Sequence, residues 1–507
     1  MQTNSSSVPP HFLVVVPGFM GSKLRDKTTG EIVWIDPLTV ARILLHGNDG
    51  LEHLLKRLAY PNKDLEPAGI LDEVLFFPHI FKSDKFDRLW TALEQMGYRA
   101  GTARYAEREL NVYAFAYDWR QDNRISAREL KAAIERWSSF HPGAQPWIIA
   151  HSNGGVVARW YIENEGGKER VGRLFLMASP WDGTPKAIYM LHDGFELLGR
   201  RFSESLHVPE RSREILLTFP SLYQLIPHQN PFLRRQSQEP LDVFTDAGWL
   251  SGAGQRELLA GGRPQVVPAA MQQTRALLLA DGRRFNAELS RDTSVETVCF
   301  FGRSKPTVTD GVVSLTDSGE WKTIEWLATE AGDGTVPERS AIHPHAQQKI
   351  PFACGHDVYA YPPALEVLRW ELLDKYSGAA PERAALTTAR LTILFEPDRD
   401  VYSPGDQIRL WASVNDNPPG AAAVSGAQIQ AELVWRQPLP GAEPRVGPAA
   451  GRSIMLAESE SVPGRYEGVL NAPAAEGYYD LRATVEIIGE AVLELRELVA
   501  VDAGLDV

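Results

Sequence analysis

A chain of 507 residues, 44% apolar and 23% charged, is too long for one compact unit and suits two domains with sizeable cores. Its formal net charge of −13 lacks the basic footprint of a nucleic-acid binder and disfavours tight electrostatic docking on anionic membranes. Two cysteines, Cys299 and Cys354, are too few for a disulfide framework and lack metal-site spacing; free thiols are expected, with a single bridge left open.

The opening stretch "MQTNSSSVPP" carries neither the basic region nor the apolar run of a cleaved leader. No segment reaches the roughly 18–20 apolar residues of a membrane span. A cytoplasmic protein is therefore expected, with export by a route that needs no cleaved signal left open. From there the apolar runs "FLVVV" (12–16), "NVYAFAY" (111–117), "PWIIA" (146–150), "GRLFLMA" (172–178) and "ETVCFFG" (296–302) read as buried strands. Between them "FDRLWTALEQMG" (86–97) and "RISARELKAAIERWSSF" (124–140) place apolar residues at helical spacing. Unbroken apolar strands alternating with helices predict an α/β fold, a parallel sheet covered on both faces.

After about residue 380 the grammar changes to short alternating strands separated by Gly/Pro turns such as "SPGD" and "VPGR". That pattern predicts an all-β immunoglobulin-like sandwich over 381–507, behind an α/β domain over 1–380. The 12 histidines and both cysteines precede residue 380, so the sandwich is expected to be an accessory module. The stretch "RQPLPGAEPRVGPAAG" (436–451) reads as a flexible loop.

The chemistry concentrates in "AHSNG" (150–154), where Ser152 follows a buried strand and precedes the helical "GGVVARWYIENEGG". A tight turn there pushes the serine Oγ out above the sheet, and the amides that open the helix can stabilise developing negative charge. This is a variant of G-x-S-x-G with Ala150 at the first glycine. A nucleophilic serine needs a base and an orienting acid, in chain order Ser, Asp/Glu, His for such a fold. "GDGTVP" supplies Asp333, after the last strand-like segment. Beyond it lie His343, His345 and His356; "IHPHA" reads as an exposed loop, so His356 is favoured as base and His343 is second. The loop "PGFMGS" after the first strand offers the Phe19 amide, and the Asn153 amide follows the serine, as two oxyanion donors. In "YDWR", Asp118 and Arg120 read as an ion pair anchoring a loop.

Together "VVPGFMGSKL", "YDWR", "AHSNGG", "ASPWDGTPKA", "FPSLYQLIP", "FFGRSKPT", "GDGTVPERSA" and His356 resemble the lecithin:cholesterol acyltransferase-like branch of the α/β-hydrolases over about residues 12–375. The resemblance implies an α/β-hydrolase fold with a cap insertion at about 186–290 that builds an acyl pocket. It also implies a second insertion between "ETVCFFG" and Asp333. Carried over residue by residue, it makes Ser152 the nucleophile, Asp333 the acid and His356 the base, with Phe19 and Asn153 as oxyanion donors. The chain departs at Asn153, where relatives usually carry methionine or leucine, and its side chain is expected to change the pocket. Acyl transfer from lipid esters, to water or an alcohol, is the implied activity. An esterase on small or polymeric esters, or a non-catalytic scaffold using the sandwich, are the alternatives. No cofactor or metal is expected. The expected partners are a lipid or ester substrate with transient membrane-surface contact, and a protein or glycan at the C-terminal domain.

Overall fold

The computed structural model describes residues 11–34, 49–71, 85–100, 105–195, 208–228, 269–289, 292–303, 305–315, 321–329, 331–352, 354–377, 391–397, 401–416, 425–437, 452–459, 464–487 and 493–501, with short stretches between 232 and 265. The chain forms two compact units, one built mainly from residues up to 378 and the other mainly from 379 onward.

The first unit is organised by a six-stranded sheet of β1 (His11–Val16), β2 (Val112–Ala114), β3 (Gln145–His151), β4 (Arg173–Met177), β5 (Glu296–Gly302) and β6 (Gln348–Phe352). Its order is β6-β5-β4-β3-β1-β2, and every pairing is parallel. All six residues of β1 are buried, because both sheet faces are covered. On one face Leu13 and Val15 share a core with Leu89 and Leu93 of helix α1 (Lys85–Gln95). Leu368 and Leu372 of α4 (Pro362–Ser377) complete that core. The other face carries α2 (Asn123–Ser138) and α3 (Asn153–Asn164), packed against each other, with α3 also against β1 and β3. The α/β-hydrolase fold expected of this part is present.

Two differences from the sequence reading concern the sheet. "NVYAFAY" pairs only over Val112–Ala114, after which Phe115 still donates to Val15 O at 2.9 Å and the chain leaves the sheet. A further strand, β6, follows Asp333, so "ETVCFFG" is not the last. Its "QKIPF" sits at the sheet edge, partly exposed, and lacks the apolar run by which a central strand is read.

Between β4 and β5 the described residues include helices Pro185–Asp193, Val208–Leu216, Pro220–Gln224 and Ala269–Glu288. They also include the strand Phe232–Arg234 and the antiparallel pair Glu257–Leu259 with Arg263–Gln265, while parts of the expected cap, among them residues 196–207 and 245–256, lie outside the described residues. The insertion between β5 and Asp333 is an antiparallel pair, Thr307–Leu315 with Trp321–Thr329, flanked by Phe232–Arg234.

The second unit contains a four-stranded and a five-stranded sheet, antiparallel except where Val401–Tyr402 runs parallel to Leu493–Val501. Ile408, Leu410 and Ala412 of one sheet and Ile429, Leu433, Leu481 and Val499 of the other share a single core. Alternation along each strand sends every second side chain inward, which is why the sequence period there is two. The strand Gln428–Gln437 enters the predicted loop, and residues 438–451 lie outside the described residues.

Candidate functional site

Strand β3 ends at His151 and α3 begins at Asn153, leaving Ser152 as the single residue of the turn. Its backbone is forced to φ 51°, ψ −126°, a conformation that L residues adopt only under constraint. The constraint is visible: Ser152 N–H donates to Met177 O of β4 at 2.9 Å, and Gly155 N–H closes back on Ser152 O at 2.9 Å. Close packing explains the flanking glycines. A Cβ on Gly18 would lie 2.8 Å from Ser152 Cβ, and one on Gly154 would collide with the Val16 and Pro17 carbonyls. The helix start and the loop after β1 therefore approach within backbone contact, which only glycine permits.

Ser152 Oγ lies 2.9 Å from His356 Nε2, and His356 Nδ1 lies 2.8 Å from Asp333 Oδ2. The Asp333 carboxylate is buried, and its other oxygen accepts the Thr335 and Val336 amides at 2.8 and 2.6 Å. The turn "GDGTVP" thus fixes the acid with its own backbone. His356 keeps 23% of its side chain exposed, so the imidazole reaches both the acid and the surface. Among the described residues, no group of three or more His, Cys, Asp or Glu side chains could hold a metal ion.

Phe19 lies in the loop directly after β1, its ring edge-on to Trp119 at 5.1 Å. Asn153 is the first residue of α3, where a backbone N–H has no intrahelical acceptor. The Asn153 side chain, expected from the sequence to change the pocket, is turned onto two buried partners. It is wholly buried and donates to Tyr117 Oη at 3.1 Å and Asn123 Oδ1 at 3.0 Å. The "YDWR" segment braces the same region. Arg120, fully buried, grips Asp118 with two bonds of 2.9 and 2.7 Å and also donates to Leu58 O at 3.0 Å. The Trp119 indole donates to Ser22 O at 3.0 Å and Trp34 to Met20 O at 3.1 Å.

A family model described as lecithin:cholesterol acyltransferase matches residues 61–248, a span holding "YDWR", Ser152 and Asn153. Over these residues the chain is lecithin:cholesterol acyltransferase-like. The protein YJR098C of Saccharomyces cerevisiae, described as uncharacterized, is 32% identical over 158 residues, 30% of this chain. The chain spans about a fifth of that relative, 21% of its length. The solved Tle4–Tli4 complex is 15% identical, covering 73% of this chain and 99% of that one with a TM-score of 0.49. The mature form of the Bacillus licheniformis lipase BlEst2 is 9% identical, covering 73% and 96% with a TM-score of 0.34.

Beside the serine of this lecithin:cholesterol acyltransferase-like segment stands a residue the sequence reading quoted but did not assign. His151 Nε2 lies 2.9 Å from His356 O, and since a carbonyl only accepts, Nε2 carries the proton. The residue before the serine thereby ties the end of β3 to the loop that carries His356. The signal was its place in "AHSNG"; its partner, 205 positions away, was not legible.

His343, the second candidate for base, is corrected by the structure. It is not in an exposed loop but fully buried, near Trp181 (ring centroids 5.8 Å apart), while His345 faces solvent. Burial, with a smaller contribution from the Arg159 charge, lowers its pKa from 6.5 to about 3. Below pH 6.5 the unfolded chain therefore takes up a proton that the folded chain refuses, so stability falls as pH drops from 6.5 toward 3. His11, lowered to about 4 chiefly by burial, acts in the same sense. The unfolding free energy should be flat above pH 7 and fall below 6.5, by up to about 1.4 kcal/mol per pH unit for each histidine, and the thermal midpoint should fall with it. His343→Gln should make that decline shallower in thermal melts at pH 7.5 and 5; equal midpoints for the parent chain at both values would contradict the assignment. Cys299 and Cys354 are separate buried thiols, with no bridge between them.

Proposed function

We propose that this chain is a serine-dependent acyl hydrolase or O-acyltransferase acting on lipid esters. The observation that carries the reading is the continuous contact from Ser152 Oγ through His356 to Asp333. Ser152 Oγ attacks the ester carbonyl while His356 Nε2 takes its proton, and Asp333 holds the imidazole in the tautomer that can accept it. The Phe19 and Asn153 amides stabilise the tetrahedral oxyanion. His356 returns the proton to the departing alcohol, leaving an acyl ester on Ser152. Water or a second alcohol then adds to that ester, gives its proton to His356, and releases the acyl group as the proton returns to Ser152. The lecithin:cholesterol acyltransferase-like segment supports a lipid ester as substrate, met in transient contact with a membrane surface. No described helix is long and apolar enough to cross a membrane. In the same reading the C-terminal unit is an accessory immunoglobulin-like module that offers a surface to a protein or glycan.

The test is incubation of the full chain with mixed phospholipid vesicles and a long-chain alcohol, with products identified by mass spectrometry. Free fatty acid or alkyl ester is expected, and their ratio separates hydrolase from transferase. Cleavage of short soluble esters without either product would replace the lipid reading with an esterase.

A further inference from the structure

The Tyr117 hydroxyl occupies a junction that the acid–base contacts do not use. Tyr117 is fully buried; its hydroxyl lies 3.0 Å from Pro17 O and 3.1 Å from Asn153 Nδ2. A phenol has one proton, and a carbonyl can only accept. The proton therefore goes to Pro17 O, and the second bond runs from the Asn153 amide to the phenol oxygen. Burial raises the phenol pKa well above its ordinary value, so the donor stays protonated. The other Asn153 amide proton goes to Asn123 Oδ1 at 3.0 Å, and Asn123 N–H is in turn held by Gln224 Oε1 at 2.8 Å. A run of hydrogen bonds thus links α2 to the loop after β1, with the Asn153 amide donating in both directions.

Two members of that run, Asn153 and Pro17, each bear on one of the two proposed oxyanion donors. Asn153 supplies its own backbone amide at the start of α3. Pro17 stands two residues before Phe19 in a loop in which Trp34 holds the Met20 carbonyl, and Trp119 holds the carbonyl of Ser22 just after it. Met20, in the same loop, adopts φ 61°, a positive value that a methionine keeps only when its surroundings hold it there. Two donors on different elements act together on one oxygen only if their separation is fixed before the reaction.

We propose that Tyr117 and the Asn153 side chain are positioning residues that set the separation of the Phe19 and Asn153 amides. Asn153 then serves twice, its backbone on the oxyanion and its side chain on the opposite loop. The proposal rests on the acyl-transfer reading above.

The test compares the full chain with Tyr117→Phe, Asn153→Leu and the double variant. It measures kcat and KM on a soluble nitrophenyl ester and the inhibition constant of a trifluoromethyl ketone, which forms an oxyanion only after Ser152 adds to it. Tyr117→Phe is expected to lower kcat about 10- to 100-fold with KM changed less than about threefold. The inhibition constant should rise by the same factor as kcat/KM falls, and the double variant should lose no more than the worse single one. Lower thermal midpoints with kcat and inhibition unchanged would overturn the proposal, as would additive losses in the double variant. If Asn153→Leu does not fold, Tyr117→Phe with the inhibitor decides alone. A parent chain that cleaves no ester and takes up no fluorophosphonate overturns the acyl-transfer reading and the proposal with it. An active parent with an unaltered Tyr117→Phe overturns only the positioning role.

Discussion

Ser152→Ala should lower ester cleavage by at least about 10⁴-fold and abolish covalent labelling by a fluorophosphonate, while leaving the fold intact. The loss follows from the contact of Ser152 Oγ with His356 Nε2 at 2.9 Å: without the oxygen, the base has no proton to take and no acyl group can be held. The fold survives because what shapes the turn is backbone. Ser152 N–H still reaches Met177 O, and Gly155 N–H still reaches the carbonyl of residue 152. Alanine also tolerates φ 51° no worse than serine does. His356→Ala should cost about as much, and the double variant little more, because the two groups act as one unit. Intact-mass measurement after fluorophosphonate treatment, together with nitrophenyl ester kinetics and a thermal melt, checks all three statements. A Ser152→Ala protein with a tenth of the parent activity would remove Ser152 from the reaction.

What the sequence made legible was local or ordered along the chain. The turn at Ser152 could be read because a buried strand, a serine with small neighbours and a helix follow one another within a few residues. Asp333 and His356 followed from a demand on chain order, and the geometry joins them to Ser152. What stayed hidden depends on partners far away. Nothing in "IHPHA" announces that His343 is buried, since its burial comes from packing around Trp181. "QKIPF" gave no strand signal because edge position, not apolar pattern, makes it one. The Asn153 side chain could be placed only once Tyr117 and Asn123 were known to lie beneath it.

Asp333→Asn should lower kcat by about 10⁴-fold near neutral pH, with KM almost unchanged and the protein folded. The direction follows from which oxygen is already held. Asp333 Oδ1 accepts two backbone amides, from Thr335 at 2.8 Å and Val336 at 2.6 Å, while Oδ2 faces His356 Nδ1 at 2.8 Å. Two N–H donors converge on the first position, so the oxygen of the new amide must take it. The NH₂ group is then turned toward His356. It can only donate, which obliges Nδ1 to accept and moves the imidazole proton to Nε2. In that tautomer Nε2 points a hydrogen at Ser152 Oγ and cannot receive one, so nucleophile and base stay in place without their function. Asp333→Ala separates geometry from support: it leaves the two backbone amides without their acceptor, adding a stability loss of about 1–3 kcal/mol for each amide that stays buried to a comparable kinetic loss. Parallel measurements of kcat, KM and unfolding midpoint distinguish the two variants. Asp333→Asn activity within tenfold of the parent would show that the carboxylate does not set the histidine tautomer.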